Sequence, residues 1–346
     1  MEFVKNAWYV AGWASEFGEE LKRVTILEEH IVMYRMSTGD VAAMEDLCPH
    51  RFLPLSMGER IGDDVRCGYH GMTFDCTGKC IRVPGRDKVL QGADLRAYPI
   101  HERHDIVWVW MGDPALADPD DVFDLPQFHD DAWEAHQGDL LHLKSNYLNV
   151  AENLVDPAHV SFVHPTSLGN AASEDVPVNA DIKGNPIVAW RWIRNGPPIG
   201  FFKEFGNFSG NVDRWHYYYL YTPCTAVIDF GSVETERQLA EEDRSEGLQV
   251  FAIHLMTPVT SEYTIDRWMH LRNRSTNDDA VSEKLDGLFR GAFAEDKLVL
   301  EAIQEEENRN PTRRPVRFGI DRGPMKYRKS IERLIEKEKE NNQAAE

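Results

Sequence analysis

The sequence predicts an α+β fold, with a β-rich N-terminal unit followed by a larger unit that combines helices with a mostly antiparallel sheet. Three observations predict it. Short β-prone runs separated by Gly, Asp and Asn turn signals occupy the start of the chain. Longer β-branched and aromatic runs recur between residues 187 and 272. A segment of helical period, 283–308, follows them.

The first unit is read from Val24–Leu27, His30–Tyr34, Val41–Met44 and Ile106–Trp110. Residues 112–121, polar and proline-punctuated, form a linker, which sets the domains at 1–115 and 116–346. In the second unit, strands are expected at 187–193, 214–221, 224–231, 248–256 and 263–272. The acidic stretch Glu234–Glu246 between two of them reads as a solvated loop. In 283–308 the apolar stripe is Leu285, Leu288, Ala292, Val299 and Ile303, with Pro311 just beyond. A charged amphipathic helix, about Lys326–Lys339, comes last.

Composition narrows the function. The 346 residues carry 38 Lys+Arg against 58 Asp+Glu, a net charge of −20. Nucleic acid and anionic membranes both attract positive surfaces, so neither is an expected partner. No run approaches the roughly 18 apolar residues of a membrane span. Five cysteines (Cys48, Cys67, Cys76, Cys80, Cys224) do not form a disulfide framework. A reducing cytoplasm is the expected location. No phosphate-binding glycine loop is visible.

Two constellations carry chemistry. Cys48-Pro49-His50 is followed, sixteen residues later, by Cys67-Gly68-Tyr69-His70. Zinc sites usually pair Cys with Cys and His with His. Here each half mixes the two, which suits a 2Fe–2S cluster with thiolates on one iron and imidazoles on the other. Cys76 and Cys80 flank a Thr-Gly turn and are read as small turn residues, because four ligands are already present.

The second constellation is His159 and His164, with Asp156 before them and Asp296 far along the chain. Histidines five apart diverge by about 140° on a regular helix. To share a metal they need a π-type turn or a helix end, and Pro165 favours an end. Position 296 continues the apolar stripe of 283–308, yet it is aspartate. A carboxylate on a buried face needs a metal or strong donors to offset its desolvation. Glu295 is rotated off that stripe and is expected to face solvent. Two His and one carboxylate with open positions describe the facial triad of non-haem Fe(II) oxygenases.

Together these motifs resemble the oxygenase component of the Rieske non-haem iron oxygenases, over nearly the whole chain. Asn6–Val10, Pro49-His50-Arg51, Gly68-Tyr69-His70-Gly71, Asn153-Leu154-Val155-Asp156 and Ala294-Glu295-Asp296 carry the likeness. Within the family, the vanillate O-demethylase and toluenesulfonate methyl monooxygenase type is the most similar.

The resemblance implies an N-terminal Rieske β domain and a helix-grip catalytic domain. It implies that Cys48, His50, Cys67 and His70 bind the 2Fe–2S cluster and that His159, His164 and Asp296 bind Fe(II). It further implies a head-to-tail homotrimer, with Asp156 bridging His70 of one subunit and His159 of the next. O2 is then the co-substrate, and NADH supplies electrons through a separate flavin/ferredoxin-type reductase. The expected reaction is O-demethylation of a small methoxylated aromatic acid to a phenol and formaldehyde. Ring or benzylic-methyl hydroxylation and N-demethylation use the same iron chemistry. The rival class is a Rieske electron-transfer protein. Asn153 is expected beside the iron ligands, and His254 and Asp229 at the substrate. Gly287 stands where some relatives have an aromatic residue, a departure that leaves the particular substrate open.

Overall fold

The computed structural model describes residues 2–169, 173–241, 243–273 and 277–345. The chain divides into two compact units. One comprises Met1–Val122, Thr257–Ser261 and Glu338–Glu346; the other comprises Phe123–Met256 and Glu262–Lys337.

The first unit is built from small antiparallel sheets. Trp8–Trp13, Ile106–Trp110 and Ile100–Arg103 form one. Lys22–Ile26, Glu29–Arg35 and Val41–Glu45 form a second. Four short strands from Glu59–Ile61 to Cys80–Arg82 form a third. Val32, Tyr34, Met44, Leu55, Val65 and Phe74 close a core beneath the two metal-ligand loops. Cys80 is buried in this core together with Cys48 and Cys67, and Cys76 packs against it.

The second unit is a seven-stranded sheet. Its strands are β1 (Glu134–Leu143), β2 (Asn179–Asp181), β3 (Ile187–Gly196), β4 (Val212–Tyr221), β5 (Thr225–Glu234), β6 (Leu248–Thr260) and β7 (Tyr263–Arg272). Their order is β1-β7-β6-β5-β4-β3-β2. Neighbouring strands from β2 to β6 pair antiparallel, as does β1 with β7. Among the described residues the α-helices are α1 (Tyr147–Asn153), α2 (Val160–Val163), α3 (Gly200–Phe205), α4 (Asp279–Arg309) and α5 (Arg322–Ala345), whose last turns, from Glu338, belong to the first unit. Among the described residues no helix is long and apolar enough to cross a membrane.

The long helix α4 corrects the expected stripe. Val299 and Ile303 are exposed. The buried line is Leu285, Phe289, Ala292, Phe293, Asp296, Leu300 and Gln304, at steps of three and four. The two phenylalanines, not the β-branched residues, set the inward face, and Asp296 lies on that line.

The loop after β5 is also more engaged than expected, residue 242 lying outside the described residues. Its Arg244 reaches back to Asp229, with Nε 3.2 Å from Oδ2.

Candidate active site

The first ligand group sits on two matching loops. Strand Val41–Glu45 leads into Cys48–Leu53, which closes on itself through Phe52 N–H donating to the Cys48 carbonyl. Strand Asp64–Arg66 leads into Cys67–Met72, closed in the same way by Gly71 N–H donating to the Cys67 carbonyl. Gly71 has φ +72°, the left-handed conformation that glycine adopts without strain. Asp46, fully buried, anchors the first loop by accepting from Ser56 N–H and its hydroxyl at 2.6 and 2.7 Å.

The two imidazoles pair with one another, and so do the two sulfurs. His50 and His70 have ring centroids 4.5 Å apart, and both are exposed. Cys48 and Cys67 are buried and hydrogen-bonded to one another. Burial pushes the Cys48 thiol up to about 11, and the neighbouring Cys67 adds to the shift. Without a cation the Cys48 sulfur remains protonated, whereas a metal centre deprotonates a coordinating thiol outright. The donor set therefore fits a metal group with soft ligands inside and imidazoles at the surface.

The second group depends on how α2 ends. His159 caps the N-terminus of this single turn, and His164 leaves it at its C-terminus with φ −117° and ψ 49°. The divergence expected on a regular helix is thereby removed, and the rings stand 5.3 Å apart. Asp296 reaches them from α4. Its Oδ1 lies 3.1 Å from His164 Nε2 and 3.6 Å from His159 Nε2. Asn153 donates to the same oxygen at 3.0 Å.

Each imidazole is held by its other nitrogen. His159 Nδ1 donates to the Asp156 carbonyl. His164 Nδ1 donates to Glu295 Oε2 at 2.7 Å. Both rings thus turn Nε2 toward Asp296, the orientation a divalent metal needs from neutral imidazoles. Burial opposes charge on both His164 and Asp296, yet their pairing outweighs it. It raises the imidazole and holds the carboxyl below its usual range. The set fits a metal of the two-His, one-carboxylate type.

Glu295 is the residue that sequence reasoning missed. Its side chain is 44% exposed, as its position off the stripe predicts, but its carboxylate still reaches His164. Glu295→Gln weakens that anchor without changing volume. Iron affinity is expected to fall by about 10–100-fold, the usual effect of an outer-shell carboxylate. Titration of the metal-depleted protein with Fe(II) measures it.

His159, His164 and Asp296 border a cavity whose wall includes Phe202, Phe230, Phe289, Phe293, Tyr218 and His254. Its volume is about 50 Å³. A cavity of about 150 Å³ holds benzene, so an aromatic ring can enter only if wall side chains give way. His254 is held by Asp266, to which Nδ1 donates at 2.7 Å, and it meets Phe293 edge to face at 4.6 Å. Its Nε2 is buried without a hydrogen-bond partner among the described residues. On the side away from the cavity, His159 and Asp156 line a surface depression of about 400 Å³ together with Val299, Ile303 and Pro315. The Asp156 carboxylate accepts from Ala158 N–H at 2.7 Å.

Asp229 is not brought to the cavity. It pairs with Tyr217 and Phe251 across the sheet, whereas the cavity wall takes His216, Tyr218, Ile228, Phe230 and Ala252. Paired residues share a face and successive residues alternate, so Asp229 points to the other side. There it accepts from Trp215 Nε1 and Gln249 Nε2, both at 2.9 Å, and faces Arg244. Asp229→Ala leaves those donors stranded in a buried site, at a cost of about 3 kcal/mol. Chemical denaturation is expected to show that loss with KM unchanged; a residue touching substrate would move KM instead.

One Cys/His group of four residues, one His/Asp group of three, a β-rich N-terminal unit and an antiparallel sheet with α4 define a Rieske-type iron oxygenase. Comparison with known proteins agrees. Residues 7–99 match the Rieske [2Fe-2S] domain, and residues 143–337 match the vanillate O-demethylase oxygenase C-terminal domain. A putative toluene-4-sulfonate monooxygenase system iron–sulfur subunit of Comamonas testosteroni is 36% identical, over 97% of this chain and 98% of that one. A vanillate O-demethylase oxygenase subunit of a Pseudomonas species is 31% identical, over 99% and 98%. The crystal structure of dicamba monooxygenase bound to 3,6-dichlorosalicylic acid is similar at a TM-score of 0.87 and 28% identity, covering 98% of this chain and 99% of that one. The chain belongs to the Rieske non-haem iron oxygenases, in the vanillate O-demethylase branch, and is an oxygenase component with an α+β fold.

Proposed function

We propose that the chain is the terminal component of a system that O-demethylates a methoxylated aromatic acid, forming a phenol and formaldehyde. The observation that carries this reading is the convergence of His159 Nε2, His164 Nε2 and Asp296 Oδ1 beside an aromatic-lined cavity. His159, His164 and Asp296 would hold Fe(II), which supplies O2 activation when bound. Cys48, His50, Cys67 and His70 would hold the 2Fe–2S cluster, which supplies single electrons.

The chain's own residues do the rest. Asn153 fixes the Asp296 carboxylate, while Glu295 and the Asp156 carbonyl fix the imidazoles. The phenylalanine wall seats the ring and excludes water. One oxygen atom enters the methyl group and the other leaves as water, using two electrons and two protons. The resulting hemiacetal collapses to phenol and formaldehyde.

No nucleotide or flavin motif accompanies these sites, so a separate flavin/ferredoxin-type reductase delivers electrons from NADH. Assembly as a head-to-tail homotrimer is supported by exposed apolar residues at each site. Phe52, Met57 and Tyr69 surround the cluster loops, while Leu298, Val316 and Phe318 stand out on the other unit. In that assembly Asp156 and His159, open to the surface depression, would face His70 of a neighbouring subunit.

Benzylic-methyl hydroxylation is the second reading, favoured by the 36% identity to the toluene-4-sulfonate relative. A substrate panel with a reconstituted reductase separates the outcomes. Formaldehyde release from methoxylated acids supports the first reading. Benzyl alcohols from methylated arenes, or hydroxylated rings, with no formaldehyde overturn it.

A further inference from the structure

One side of the sheet carries a buried cation without a counter-charge. Arg214 on β4 is 1% exposed, and its Nε, Nη1 and Nη2 all lack a hydrogen-bond partner among the described residues. Arg191 on β3 is equally buried; it donates to the Ser173 carbonyl and the Ser161 hydroxyl, but its Nε is also unpartnered. The Ser232 hydroxyl and His216 Nδ1 are buried and unpartnered as well.

The register places these groups together. Arg214 pairs with Ser232, and His216 pairs with both Arg191 and Phe230. His216, Phe230, Tyr218 and Ile228 line the cavity. Arg214 and Ser232 are therefore the next row on the same face, one two-residue step along the strands. Burial pushes the His216 imidazole down, and Arg191, Arg214 and His159 all add to the shift. Burial and the adjacent Arg191 push Arg214 down, to about 10, so it remains a cation at neutral pH.

Apart from the acceptor-capable hydroxyl and imidazole, the unpartnered atoms are N–H donors. An unpaired charge at this depth is costly unless an anion completes it. We propose that Arg214, with Ser232 beside it and Arg191 adding to the positive field, forms the subsite for the carboxylate or sulfonate of an aromatic substrate whose ring occupies the cavity. The inference rests on reading that cavity as the substrate site, and it adds which residues hold the acid group. It also resolves a conflict of charge. A protein of net −20 repels anions at long range, so one is retained only by desolvated cations inside it.

The test compares 4-methoxybenzoate, 4-methylbenzenesulfonate and the neutral 4-methoxybenzamide on the holoenzyme. Binding is read by tryptophan fluorescence and by thermal shift. Anions are expected to bind about 100-fold more tightly than the amide, as for a desolvated charge pair. They should also raise the melting temperature. Arg214→Gln is expected to abolish that preference while leaving amide binding unchanged, and Arg214→Met serves if the glutamine variant folds poorly.

Equal binding of acid and amide by the wild type overturns the proposal, as does an anion preference that survives in the variants. Preference for one anion over the other assigns the subsite to carboxylate or sulfonate and supports it. Arg214-dependent anion binding without oxidation of any methyl group upholds the subsite and defeats the functional reading. Demethylation and equal binding of the neutral amide do the reverse.

Discussion

Asp296→Ala leaves a protein that keeps its cluster and loses its turnover. Asp296 Oδ1 is the atom toward which both imidazoles turn, 3.1 Å from His164 Nε2 and 3.6 Å from His159 Nε2. Removing it takes away the sole anionic donor of the group and strands Asn153 Nδ2. Outer-shell changes alone cost about 10–100-fold in metal affinity or activity, so loss of a ligand is expected to exceed about 100-fold. Iron should fall from about three to about two atoms per chain, with acid-labile sulfide and the visible spectrum of the cluster unchanged.

Asp296→Asn controls for packing, because it preserves volume while removing the charge. The same iron count separates an oxygenase from an electron carrier. A carrier has no use for the third iron, and two atoms per chain in wild-type protein would defeat the proposed function. Retention of full iron and activity in both variants would show that the three residues do not act as a ligand set.

What the sequence made legible follows from how local each signal is. The two Cys–His motifs are complete within a few residues, so their pairing needed only two turns to close. Asp296 was legible because one polar residue interrupts an apolar line on a single helix. The line itself was misread where Val299 and Ile303 were preferred to Phe289 and Phe293, since hydrophobicity alone does not say which flank of α4 meets the sheet. Glu295 escaped notice for a different reason. Its role is set by a ring 131 positions earlier in the chain, and periodicity within one helix contains no such information.

The strands hid more. Alternation tells which residues share a face but not which face meets the cavity. Asp229 was expected at the substrate from the resemblance alone, whereas its parity places it with Trp215 and Gln249. Arg214 gave no signal because an arginine in a strand of alternating aromatics is usually paired. Only the three-dimensional arrangement shows that its donors have no acceptor among the described residues.

Asp156→Asn is expected to retain both metal groups and lose reductase-driven turnover. The substitution is nearly isosteric, and its amide oxygen can still accept from Ala158 N–H. The hydrogen bond to His159 Nδ1 comes from the main-chain carbonyl, which the change does not touch. The fold of the turn and the orientation of His159 therefore persist. What disappears is the charge of a carboxylate that burial already pushes toward the protonated state, opposed by His159.

If that carboxylate links the iron site of one subunit to the cluster of the next, turnover driven by NADH and reductase should fall by about 100-fold or more. Protein reduced chemically before substrate and O2 are added should still form product in its first turnover. This split assigns the defect to the path between sites rather than to iron binding. A purely structural role predicts the opposite pattern, with loss of iron or of thermal stability and equal impairment of both assays. Full reductase-driven activity in the variant would refute the bridge.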